Sequence, residues 1–511
     1  MSKSRAQKAA LNTITGAVSE VVIMVCGLIL PRLIIGQYGS AYNGITASAK
    51  QFLSAISFFN LGIAGTTRVA LYRSLADGDL KKTSGIVKAT ELHMCKVGLV
   101  LAVYVLGLAV LYPLFVDTGY GWLDVALLIL AAGITNFGSY FFGTTYQAFL
   151  SADQSVYISN IFLTVAVILN TVVSVILIRM KFSIQVVKLA SAGVMFLKPL
   201  LQNIYVSRKY KLDKKAQPDR SALAMRKDVM AHSVANIIHD HTDMVVLTIF
   251  AGVKVVSVYS VYNLIMNALK KMQSVFTSGT EAIFGSMWAK QELDKMRKVL
   301  KYYEYVVAIF VSVVFSASLV MILPFISLYT KKVTDEEYIL PMYAFVIILA
   351  QMFYCFRAPY LTMVQGVGRY KETKKGAYAE AGINLGLSVL LVQFYGIVGV
   401  AIGTLVANIF RTCQYALYIE KKIMPRGIMN AVWRIVWALA NVAIVYFSSS
   451  WLLGSLAYQS WGKWVLGGFI TVFIAVAVTL ITSFIFYKND LGEIWKIGKT
   501  MIKKKLGRKK K

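Results

Sequence analysis

The chain has 511 residues, 57% of them hydrophobic and only 15% charged, and a formal net charge of +30. Average soluble domains carry about a quarter charged residues, so this balance excludes an ordinary soluble domain and indicates a polytopic membrane protein. The Lys and Arg residues gather in short clusters between oily segments, which argues against a nucleic-acid partner and fits loops on the cytoplasmic side of a membrane.

A span needs about 20 mostly apolar residues. Fourteen stretches qualify: 11–35, 41–66, 93–115, 122–150, 155–179, 183–206, 229–251, 255–285, 303–329, 338–363, 374–395, 396–420, 430–452 and 462–487. The first is too long for a signal-peptide core and lacks a clear cleavage site, so it reads as an uncleaved span. The second, seventh, eighth and eleventh are rich in Ser, Thr, Asn and charge, and should face protein or water rather than lipid. The four cysteines (Cys26, Cys95, Cys355, Cys413) lie in or beside oily stretches and fit neither a disulfide framework nor a zinc motif.

With the N-terminus inside, the inner segments collect Lys3, Arg5 and Lys8, the run 208–227, "GRYKETKK" (368–375), "KKIMPRG" (421–427) and the tail "KKKLGRKKK" (503–511). The outer segments hold few basic residues, so both termini are expected in the cytoplasm. The polar, basic stretch 208–228 contains Pro218 and reads as a linker. It divides an N-lobe (1–207, spans 1–6) from a C-lobe (229–421, spans 7–12), followed by two further spans (422–487) and a basic tail (488–511). The lobes look like copies: "GDLKK" (78–82) answers "QELDK" (291–295), "LYPLF" (111–115) answers "ILPFI" (322–326), and "NTVVSVIL" (170–177) answers "NLGLSVLL" (384–391). A repeat of six spans inserts both copies the same way up, an arrangement found in transporters. The expected fold is therefore all-α, with about 14 transmembrane helices in two pseudo-symmetric six-helix lobes plus two C-terminal helices.

Charges deep in a membrane cost several kcal/mol and persist where they face a cavity or a partner. Arg32, Lys50, Lys270, Lys271 and Arg357 are the candidates for a cationic cavity that holds an anionic head group, since Lys and Arg give charge-assisted hydrogen bonds to phosphate. Lys198, Arg411 and Arg434 lie in similar places, and for these snorkelling to an interface or pairing with a buried acid is an equally good reading. A second set is acidic or oxygen-bearing: His239, Asp240 and Asp243 in "HSVANIIHDHTDMVVLTIFAG" (232–252), Glu380 and Asn384 four apart in span 11, and Thr404 in span 12. Such oxygens suit coupling to a hard cation such as Na⁺ or to a proton, or else helix–helix hydrogen bonds. No cofactor, metal motif or catalytic constellation is legible.

The stretches "LPRLIIGQYGSAYNGI" (30–45), "NLGIAGTTRVALYRSLADGD" (60–79) and "HTDMVVLTIFAGVKVVSVYSVYNLI" (241–265) resemble the polysaccharide (oligosaccharidyl-lipid) flippases. Those belong to the exporter superfamily that also holds multidrug antiporters and peptidoglycan-precursor flippases. The resemblance implies two six-helix lobes around a central cavity. It also implies movement of an undecaprenyl-diphosphate-linked oligosaccharide from the inner to the outer leaflet of the bacterial cytoplasmic membrane, by alternating access, for cell-surface polysaccharide. Relatives couple to a cation. Alternatives are a multidrug/cation antiporter, which a cationic cavity suits poorly, and a peptidoglycan-precursor flippase. A membrane glycan polymerase fits less well, because every outer loop is short. The implied partners are the lipid-linked substrate and membrane lipids; docking of other polysaccharide-assembly proteins carries no signature here.

Overall fold

The computed structural model describes residues 5–54, 63–210, 212–213, 215–219, 242–277, 280–425 and 427–493. Every regular element among them is a helix: α1 Arg5–Tyr38, α2 Ser40–Ser54, α3 Ile63–Ala76, α4 Leu80–Phe115, α5 Trp122–Gly138, α6 Thr144–Ala152, α7 Val156–Arg179, α8 Ile184–Tyr210, the run 242–250, α9 Val253–Thr277, α10 Thr280–Ala289, α11 Leu293–Phe310, α12 Ser316–Tyr329, α13 Pro341–Phe356, α14 Ala358–Gly366, α15 Tyr370–Lys422, α16 Met429–Leu453 and α17 Trp461–Phe486. A π-helical turn joins α5 to α6 (Ser139–Gly143) and another joins α11 to α12 (Val311–Phe315). Ten of the described helical stretches are long and apolar enough to cross a membrane. Large apolar side chains such as Leu99, Val103, Phe115, Phe469 and Phe473 stand exposed. In water such a surface would aggregate; in a bilayer it faces acyl chains. The chain is an all-α polytopic membrane protein.

Several helices outrun the stretches expected from hydropathy. α4 begins at Leu80 rather than 93, capped by Asp79, whose carboxylate accepts from the Lys82 N–H at 2.9 Å. Its first turns carry Lys81, Lys82, Lys88 and Glu91, which lower hydropathy without breaking the helix. α3 likewise continues past the expected limit of 66 to Ala76, and α10 carries the eighth span on to Ala289. Hydropathy reports the part in lipid, whereas backbone hydrogen bonds continue into the polar ends. The expected division of 374–395 from 396–420 falls on Gly396, where φ is +53°. That left-handed backbone turns the fifty-three residues of α15 into two arms, and only glycine adopts it without strain.

The backbone carries the repeat. Left-handed residues occur at Gly39 and Gly252, at Gly78 and Gln291, at Gln154 and Gly368, and at Lys181 and Gly396, each pair 213 to 215 positions apart. They mark corresponding turns between successive helices of the two halves. The prolines of "LYPLF" and "ILPFI", Pro113 and Pro324, both fall inside the last turns of their helices, α4 and α12.

Two compact units are resolved. Unit 1 is Met1–Leu264 with Lys332–Glu336, and unit 2 is Ile265–Lys331 with Glu337–Lys511. The expected linker 208–228 lies mostly outside the described residues. In unit 1, α1 packs on α7, α7 on α8, and α8 on α5. Its core includes Ile45, Val125 and Ile129, fully buried. In unit 2, α13 packs on α15, α10 on α14, and α16 and α17 on each other and on α12.

Candidate functional site in unit 2

The eighth stretch supplies a polar stripe. Lys270, Gln273, Ser274 and Thr277 have helical spacing and share one face of α9, and Glu281 follows on α10. With Tyr354, Arg357, Leu361, Thr362 and Gln365 from α13 and α14, they line a cavity of about 380 Å³. Arg357 stands at the break between α13 and α14, just before Ala358–Pro359. Proline lacks the N–H that would continue the hydrogen-bond ladder, so a second helix starts there and Arg357 is presented at the joint.

Tyr354 lies three residues before Arg357 and collects two cations. The Arg357 Cζ stands 4.4 Å from its ring centroid and the Lys270 Nζ 5.0 Å. Both lie within the range of cation–π attraction. Behind the cavity wall, Glu380 on α15 bridges two guanidinium groups: Arg357 Nη1 donates to Oε1 at 2.5 Å, and Arg411 Nε approaches Oε2 at 3.2 Å. All three are buried, at 7%, 6% and 4% exposure for Arg357, Glu380 and Arg411. Arg411 has further anchors in the Thr373 carbonyl (3.1 Å), Gln414 Oε1 (2.7 Å) and Tyr415 OH (2.5 Å), and it stacks on the Tyr415 ring at 4.0 Å. Gly376 makes room for it; a Cβ there would meet Arg411 Nη1 at 2.3 Å. Among the described residues, the cavity and its wall set the cations Lys270, Arg357 and Arg411 against the acids Glu281 and Glu380, a surplus of one positive charge.

The expected cationic residues are thus divided. Lys270 and Arg357 line one cavity, with Lys271 beside them on the exposed side of α9. Arg32 and Lys50 belong to unit 1 and are exposed. Lys188 on α8, absent from the expected set, is close enough to Lys50 for the two charges to interact. Arg411 and Arg434 both pair with buried acids, one of the two readings open for them.

Of the oxygen-bearing set, the structure brings Asn384 and Thr404 together. Glu380 is held in ion pairs with Arg357 and Arg411. Asn384 Nδ2 donates to Thr404 Oγ1 at 3.0 Å, a bond between the two arms of α15. Asp243 is buried in unit 1, whereas Glu380, Asn384 and Thr404 belong to unit 2. His239 and Asp240 lie outside the described residues. Among the described residues, no three His, Cys, Asp or Glu side chains gather.

No protein-family model and no curated protein sequence matches the chain. The fold matches a solved structure of the lipid II flippase MurJ in an inward closed conformation, with TM-score 0.71 and 14% identity, over 94% of this chain and 99% of that one. It also matches a multidrug resistance MATE family transporter of the MOP superfamily, inward-facing, with TM-score 0.56 and 15% identity, over 86% of this chain and 99% of that one. The chain shares the fold of these two transporters. At these identities the likeness shows the fold and carries no residue roles across.

Sequence reasoning missed Tyr354, Gln273, Thr277, Thr362 and Gln365. Two signals were present. The polar stripe from Lys270 to Thr277 has helical spacing, and Tyr354 precedes Arg357 by three, which sets ring and guanidinium on one face.

Proposed function

We propose that this chain is a flippase that moves an isoprenoid-diphosphate-linked oligosaccharide across the bacterial cytoplasmic membrane, with both termini in the cytoplasm. The observation that carries this reading is the surplus positive charge among the described residues of the unit 2 cavity, where Lys270 and Arg357 flank Tyr354. Buried positive charge in excess of the neighbouring acids favours an anion, and a diphosphate is the anion that a lipid carrier brings into a membrane. Gln273, Ser274, Thr277 and Gln365 add hydrogen-bonding side chains suited to sugar hydroxyls. The shared fold supports a transporter, and the six-helix repeat supports alternating access of two similar halves. The same surplus charge speaks against organic cations as cargo.

The test is translocation in proteoliposomes. A fluorescent short-chain isoprenyl-diphosphate oligosaccharide is placed in one leaflet, and its loss to a membrane-impermeant quencher is followed. The wild type should flip it. Arg357→Ala, and Lys270→Ala with Lys271→Ala, should slow flipping about tenfold or more at equal protein, the effect of removing a charge-assisted hydrogen bond. Wild-type rates in both variants, or transport of a cationic dye instead, would overturn the proposal.

A further inference from the structure

We infer that Glu380 is a built-in counter-ion that an anionic ligand displaces from Arg357, and that it thereby sets how tightly the cavity holds the ligand and how readily it lets go. This rests on the diphosphate reading of the cavity. The two arginines on Glu380 are not equivalent. Arg411 is fixed by Thr373, Gln414, Tyr415 and the Tyr415 ring as well as by the carboxylate. Arg357 has one bond to Glu380 and the face of Tyr354, and it lines the cavity at a helix joint. When a phosphate oxygen arrives, Arg357 can exchange Glu380 Oε1 for it, one charge-assisted bond for another. Glu380 then stays on Arg411 and is never left bare in a buried place, the condition that makes breaking a buried ion pair expensive. Without Glu380 the cavity would carry one more net positive charge and hold its ligand longer. A transport site must bind strongly enough to load and weakly enough to release.

The experiment uses the full chain purified in detergent, with farnesyl diphosphate as the probe and farnesol as the uncharged control, at low salt. Glu380→Gln removes the internal competitor and should tighten farnesyl diphosphate about fivefold to twentyfold, the usual size of a coupling between sites. In the flipping assay the same variant should lower the apparent KM and also the turnover, because release slows. Arg411→Gln should have the opposite sign: the whole carboxylate charge falls on Arg357, and binding weakens. A residue that only supports the fold would weaken binding in both variants. Unchanged or weaker binding in a Glu380→Gln chain that melts like the wild type would overturn the inference. Should that variant not fold, Arg411→Gln decides, since unchanged or tighter binding there also overturns it. Failure of the wild type to bind farnesyl diphosphate, or binding that survives Arg357→Ala, would instead overturn the proposed function.

Discussion

Among its described residues, unit 2 contains two buried clusters of arginine and carboxylate, and they differ in their arithmetic. At Glu380, two arginines meet one acid at the wall of a cavity. At Arg434, one arginine meets two acids: Nη1 donates to Glu304 Oε2 at 2.8 Å, and Nη2 to Asp490 Oδ2 at 3.2 Å. There Lys301 completes the balance from the outside, its Nζ 2.6 Å from Asp490 Oδ1. Tyr305, Trp437 and Tyr487 close around this second cluster, with ring centroids 5.1 to 5.9 Å apart. It ties α11, α16 and the residues after α17 together. A balanced cluster packed by aromatic rings holds helices in place. A cluster with surplus charge at a cavity fits the proposed ligand of the opposite sign.

The comparison breaks hardest at Arg434. Arg434→Gln removes the cation that two buried acids share, and truncating one partner of a buried pair costs about 3–5 kcal/mol. Membrane-inserted protein should fall sharply, and the detergent-solubilised remainder should melt early by tryptophan fluorescence. Whatever survives should retain wild-type affinity for farnesyl diphosphate. A stable Arg434→Gln protein that no longer binds would mean that the two clusters have been assigned the wrong way round.

Arg357→Ala is the converse. Glu380 keeps Arg411, so no buried carboxylate is abandoned and the melting temperature should move less than for Arg434→Gln. Binding should weaken about tenfold or more, the order expected when a charge-assisted hydrogen bond is removed from a buried site. The pair of variants thus separates stability from binding within one unit, and similar melting curves for both would remove the distinction.

The division of labour was only half visible in the sequence. Runs of apolar residues match the ten described stretches long and apolar enough to cross a membrane, though the expected second, seventh and eighth spans are not among these, and the turn at Gly396 fell where expected. The repeat was legible because both copies keep the same turns, and left-handed residues recur near the offset that the letters suggested. What the letters do not carry is the partner of a buried charge. Glu380 is 23 residues from Arg357 and on another helix, and Asp490 is 56 from Arg434. Helical periodicity tells which residues share a face on one helix; it is silent on which helix that face meets. Read alone, Glu380 in an oily stretch suggested a cation site. Its ion pairs with Arg357 and Arg411 could not be read from that stretch. The polar stripe from Lys270 to Thr277 was recoverable, because its members lie on one face of α9 and needed no partner to be seen.

The smallest effect sharpens the comparison from unit 1, at the chain turn between α6 and α7. Asp153 Oδ2 accepts from Lys8 Nζ at 2.9 Å, Ser155 Oγ at 2.5 Å and Tyr210 OH at 2.6 Å, joining α1, α7 and the end of α8. Burial pushes this carboxyl up, but the Ser155, Tyr210 and Lys8 donors together hold it below the usual carboxylate range. A depressed folded-state pKa contributes stability that is complete above the unfolded value of about 3.9 and is lost as pH falls through the folded one. The melting temperature of the wild type should therefore be insensitive to this group from about pH 5 to 8 and should lose its contribution below about pH 4. Asp153→Asn should be less stable by about 1 kcal/mol at neutral pH, the scale of a partly exposed pair with hydrogen bonds, and its curve should lack that acid step. Here one acid faces a single ammonium and two neutral hydroxyls, so the charges balance as they do at Arg434, and the loss should appear in stability alone. A change in farnesyl diphosphate affinity in Asp153→Asn would show that charge balance does not separate the clusters that hold the fold from the cluster that binds.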